Sequence, residues 1–157
     1  MGALHLARPG ATSVARPRIV WRLGTVHDLI EETPRARTIL LDVAGWPGHI
    51  AGQHVDIRLT AGDGYQTERS YAIASAPEAP NLPLTVERID GGEVSPDLTE
   101  ELRVGDHLEL RGPLGGFTWH AGDVGPLLLI AGGAGLVRLI AMLRHRAGRS
   151  QTIEARC

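Results

Sequence analysis

Over residues 19–124 the chain is cut into short β-prone runs by turns rich in glycine and proline, and this rhythm limits the folds open to it. Residues 19–23 and 25–30 lead to a polar turn at residues 31–34. A second run covers residues 38–43 and stops at a turn cluster from Ala44 to Gly48. In residues 53–59, Val55, Ile57 and Leu59 alternate with polar neighbours, the period of a half-buried strand. Extended runs follow at residues 66–75, 84–89 and 107–111, divided by Gly62, Gly64, Pro77, Pro80 and Pro83. Strands so short and so evenly punctuated predict an antiparallel barrel or sandwich, a mainly β fold. One short helix is expected over residues 95–102, with Ser95 as N-cap, Pro96 in the first helical position and acids in the first turns.

At Pro126 the texture changes. The continuous apolar run of residues 127–131 predicts a strand buried on both faces. It enters Gly132-Gly133-Ala134-Gly135 and then an apolar helix over residues 136–146. Strand, glycine turn and helix begin a βαβ unit whose second strand does not follow. The expected division is a disordered leader at 1–18, a β domain at 19–124 and the start of a nucleotide-binding unit at 125–157.

Composition narrows the function classes. Of 157 residues, 43% are hydrophobic and 22% charged, ordinary for a globular domain. Every one of the 16 Lys+Arg residues is arginine, and the net charge of −2 offers no basic surface for nucleic acid or an anionic membrane. The single cysteine, Cys157, excludes an intrachain disulfide and a Cys-ligated cluster, and no two histidines have helical metal-site spacing, so no metal is expected. Residues 1–18 lack a secretory apolar core, and the apolar run before the glycine turn is too short to span a bilayer, so a cytoplasmic protein is expected.

Three segments carry chemistry. Arg69 and Tyr71, two apart in Arg69-Ser70-Tyr71-Ala72, share a strand face about 7 Å apart. They either offer a guanidinium fork to phosphate beside a ring for a flat heterocycle, or are a surface Arg next to a half-buried Tyr. Gly91-Gly92-Glu93-Val94-Ser95 precedes the short helix and is either an anion-binding helix start or a tight turn with a plain cap. Gly132, Gly133 and Gly135 are placed to approach a dinucleotide phosphate, although neither a P-loop nor the strict Gly-x-Gly-x-x-Gly pattern is present.

Taken together and in order, these segments resemble the ferredoxin–NADP reductase superfamily, in particular bacterial ferredoxin-reductase-like oxidoreductases. The likeness runs from about Trp21 to Arg146 and includes residues 51–54, 102–106 and 112–117. It implies an antiparallel Greek-key β-barrel that binds FAD, followed by an incomplete first strand–helix unit of an α/β nucleotide-binding domain. It further implies that Arg69 holds the pyrophosphate, with Tyr71 stacked on the isoalloxazine ring and Ser70 and Ala72 beside it. Val86 and Arg88 would line the ribityl and phosphate path, while Gly92, Val94 and Ser95 would meet the pyrophosphate. Gly132, Gly133 and Gly135 would serve NAD(P)H. Such proteins pass a hydride from NAD(P)H to the flavin and then single electrons to a ferredoxin, a haem or an oxygenase component. The flavin is the reacting group, and no side chain is assigned as catalytic.

The sequence departs from that family in three ways. Ala72 stands where a Ser or Thr hydroxyl usually meets the flavin, and Arg138 stands where the nucleotide loop usually has proline. The remaining nicotinamide-domain strands are missing, so the helix is expected to fold back on the barrel, self-associate or stay loosely ordered. The reading is an FAD-dependent NAD(P)H oxidoreductase. The alternative is an FAD-binding module or inactive fragment that does not oxidise NAD(P)H.

Overall fold

The computed structural model describes residues 19–120 and 127–148. The expected leader and the segment after Gly148 lie outside the described residues. Six strands form one sheet: β1 (Trp21–Thr33), β2 (Ala36–Val43), β3 (His54–Thr60), β4 (Gln66–Ala72), β5 (Leu82–Glu87) and β6 (His107–Leu114). Their order is β4-β3-β6-β1-β2-β5, with every neighbouring pair antiparallel. The two end strands meet through an Ile73–Leu84 bridge and a hydrogen bond of 2.8 Å from Ala74 N–H to Pro83 O. This contact closes the sheet into a barrel. With β3, β4 and β5 consecutive and β6 returning beside β3, the path is a Greek key.

The alternation that defines the strands also fills the barrel. Val55 and Ile57 of β3, Ile39 and Leu41 of β2, Leu84 and Val86 of β5 and Leu110 of β6 are almost wholly buried in one cluster. Each side chain of this size removed from water stabilises the fold by about 1.5–3 kcal/mol. Their polar neighbours pair on the outer face, where Arg111 Nε donates to Asp56 at 3.0 Å and Arg58 Nε to Glu109 at 2.8 Å. β1 runs as a single strand across both expected runs, with a bulge between Val26 and Asp28 that bends it and increases its local twist.

The expected short helix forms over residues 95–101 and widens over Asp97–Glu101, where Leu102 N–H reaches Asp97 O. Two expectations need correction. Ser95 does not cap that helix, since its Oγ accepts the Ile89 N–H at 3.0 Å. Residues 127–132 form no strand, and Leu128 and Ile130 are exposed. A strand apolar on both faces needs neighbours to pair with, and among the described residues this run has none.

Helix α1 (Leu136–Gly148) does fold back on the barrel. Leu139 and Met142 pack with Ala51 and Trp119, against which Leu127 and Leu129 also rest. Arg144 donates to Ala74 O at 2.7 Å, and His145 Nδ1 lies 2.8 Å from Glu78. The contact demands glycine at position 52: φ is +100°, and a Cβ there would come within 2.2 Å of Phe117 O and 2.5 Å of Met142 Cε. Among the described residues no helix is long and apolar enough to cross a membrane.

Candidate functional site

Strand period two puts Thr67, Arg69 and Tyr71 on one face of β4, the face that opposes Ile57 and Val55 of β3. The result is a row of a hydroxyl, a guanidinium and an aromatic ring along the rim of the barrel. Ser70 points the other way and donates to Asp56 at 2.6 Å. Burial pushes the Asp56 carboxyl up, but hydrogen bonds from Ser70 and Arg111 outweigh it and leave the group below its ordinary value. Tyr71 is half-buried and packs against the core, and burial pushes its phenol up to about 12. At neutral pH the ring is an uncharged apolar platform with a polar tip.

Arg69 Nη2 lies 2.9 Å from Glu93 Oε2, while Nη1 donates to Glu68 O at 2.7 Å. This ion pair joins β4 to the Gly91–Ser95 segment, so two of the three sequence-derived segments come together. Gly92 belongs to a tight turn: its N–H donates to Ile89 O at 2.9 Å, and a Cβ would come within 3.0 Å of that oxygen. Val94 is in the core, and Ser95 is buried with its hydroxyl spent on Ile89. Neither side chain is free for a ligand, which leaves the main chain of this segment beside Arg69.

Val86 and Arg88 are placed differently from Arg69 and Tyr71. Val86 is fully buried and turned into the barrel, so its side chain cannot line an outer path. Its strand neighbours Thr85 and Glu87 do line the cavity, as alternation along β5 requires. Arg88 is bound to Asp90 at 2.9 Å and to Glu100, and fastens the end of β5 to the short helix. It borders a separate cavity of about 120 Å³. Simple alternation along residues 84–87 was the available signal for Thr85 and Glu87.

The main cavity is about 600 Å³. One wall is Ser70, Tyr71 and Ala72 of β4 with Thr85 and Glu87 of β5; the other is Gly132, Ala134, Gly135 and Arg138. Thus the glycine turn, expected to serve a nucleotide, lines the same cavity as Tyr71. Gly133 has φ +54°, and a Cβ there would lie 3.9 Å from a Glu87 oxygen. Arg138 also acts on His54, whose pKa is lowered first by burial and then by this positive charge. The volume is typical of a cofactor site. A half-buried aromatic wall suits a flat heterocycle, and the half-exposed Arg69 guanidinium already pairs with one carboxylate, that of Glu93. The residues present therefore fit FAD: Tyr71 on the cavity wall would meet the ring, and Arg69, two residues before it on β4, would reach toward the phosphates.

The sequence profile of the oxidoreductase FAD-binding domain family matches residues 31–119. The chain belongs to the FAD-binding domains of the ferredoxin–NADP reductase superfamily. This FAD-binding domain is 40% identical over 93 residues to a flavohemoprotein of Pseudomonas putida, an alignment covering 59% of the chain and 23% of that protein. It is 36% identical over 130 residues to the NADH oxidoreductase HCR of Escherichia coli, covering 81% of the chain and 39% of the relative. Among solved structures, the cytochrome P450 reductase GcoB of Amycolatopsis matches with a TM-score of 0.73 at 32% identity, over 84% of the chain and 40% of that chain. The domain therefore spans well under half the length of these relatives. FAD is its family cofactor, and its family chemistry is that of oxidoreductases.

Proposed function

We propose that the chain is the flavin module of an NAD(P)H-dependent electron-transfer enzyme. In this reading residues 19–124 are the FAD-binding domain and residues 125–157 belong to the beginning of an NAD(P)-binding unit. The observation that carries it is the shared cavity, with Tyr71 and Ala72 on one wall and the glycine turn of Gly132 and Gly135 on the other. A nicotinamide held at that turn would be delivered to a ring lying on Tyr71.

Arg69 holds the pyrophosphate, aided by the main chain of Gly92, Val94 and Ser95. Tyr71 supports the ring and excludes water from its buried face. Ala72 offers no hydroxyl and that of Ser70 is spent on Asp56, so hydrogen bonding at that edge falls to main-chain groups. Bound FAD supplies the redox chemistry, accepting a hydride equivalent and releasing electrons singly. The names of the similar proteins, an NADH oxidoreductase and a cytochrome P450 reductase, support a nicotinamide donor and a haem or oxygenase component as acceptor.

A second reading draws on residues 127–132. Without strand pairing there, the module binds FAD but does not oxidise NAD(P)H alone. Anaerobic titration of the FAD-loaded protein with NADH and then NADPH separates the two. Bleaching of the flavin band in step with added nucleotide supports the reductase; an unchanged band at excess nucleotide assigns the chain to binding alone.

A further inference from the structure

The donors along the rim of β4 converge on one carboxylate. Glu93 Oε2 accepts from Arg69 Nη2 at 2.9 Å and from Thr67 Oγ1 at 3.2 Å, while Oε1 accepts from the Tyr65 hydroxyl at 3.2 Å. Three side chains two residues apart along the strand direction thus grip a single acid supplied by the neighbouring loop. Glu93 is half exposed, as is Arg69, so the contact opens without disturbing the core. Its charge sits where an anionic ligand of Arg69 must arrive.

We propose that Glu93 is a built-in competitor for the phosphate-binding guanidinium, and that it sets the affinity of the site for FAD. The inference rests on the flavin reading above and adds a residue to it. A phosphate can use Arg69 fully only if the Glu93 carboxylate swings aside, because two anions on one guanidinium repel each other. Displacement forfeits an exposed ion pair and its two hydroxyl partners, contacts that are individually weak. Glu93 therefore lowers affinity moderately and does not abolish binding. It also keeps Arg69 paired with an acid, so weaker anions are excluded from the rim.

The test is calorimetric titration of FAD into the wild type, E93Q, E93A, R69A and the R69A/E93Q double variant, each checked for an unchanged thermal melt. Neutralising Glu93 by either substitution should tighten FAD binding about 2- to 5-fold, the scale of an exposed ion pair. In the R69A background E93Q should bring no gain, since the competition is for Arg69. Wild-type binding that R69A loses but E93Q and E93A leave unchanged or weaken would overturn the role of Glu93 alone. It would make Glu93 a positioning partner of Arg69 or a bystander. A gain that persists in full in the double variant overturns it equally. Failure of both the wild type and E93Q to take up FAD would overturn the flavin reading and this inference with it.

Discussion

At Arg69 the charge proposed to serve a phosphate is held by very little. Its side chain is about half exposed, and its partners are a strand carbonyl, a threonine and an exposed acid. Removing it disturbs no core contact but takes away a charge-assisted hydrogen bond donor. We expect Arg69→Ala to weaken FAD binding about 10- to 100-fold, on the order of 1.5–3 kcal/mol, with the melting temperature unmoved. Unchanged affinity in a fluorescence titration would return Arg69 to the role of a surface arginine. Arg88, by contrast, is committed to Asp90 and Glu100, and its loss should be read in the anchoring of the short helix. Two arginines near one rim thus have separate roles, and their partners distinguish them. Sequence spacing did not: nothing in Val86-Glu87-Arg88 tells which acid, twelve residues on, will claim the guanidinium.

The elements differ in how far the sequence specified them. β3 was legible because buried and more exposed residues alternate along it, as at Val55 and Ile57, and β2 and β5 as β-prone runs bounded by turns. Their ends moved by a few residues because tertiary pairing, such as Leu82 with Leu41, extends a strand beyond its apolar pattern. The run at residues 127–131 was misread for a physical reason: an apolar run of that length becomes a strand only beside another strand. The return of α1 was one of three expected outcomes and was decided by packing that no local pattern encodes. At its centre Gly52 combines a positive φ with the close approach of Phe117 O and Met142 Cε. Gly52→Ala should therefore destabilise the fold by roughly 1–3 kcal/mol from backbone strain, with the clash adding to it. Chemical denaturation measures this directly, and a variant as stable as the wild type would refute the proposed fit of α1 on the barrel.

At the scale of the whole molecule, barrel closure buries groups that respond to pH. Burial lowers the pKa of His49, which is contacted by Ser75 and faces Glu78 and His145, and that of His54, which faces Arg138 and Asp56. Both histidines are lower in the folded than in the unfolded chain, whose value is near 6.5. The unfolded state therefore binds more protons below that value, so this contribution is present above about pH 6.5 and is lost as pH falls through it. Asp56, held below its ordinary value, adds a further loss in the carboxylate range. Thermal melts should fall from about pH 7.5 to 5.5, and less steeply in His49→Asn; a melt independent of pH over that window would contradict the burial of both rings. The same closed barrel presents Tyr71 and the glycine turn around a cavity of about 600 Å³, with Arg69 two residues before Tyr71 on β4. That constellation is the central claim, and titration of the purified chain with FAD, followed by the change in flavin absorbance, tests it most directly. Saturation at one FAD per chain with a perturbed flavin band is the predicted result, and a flavin spectrum unchanged from that of free FAD at every ratio would contradict it.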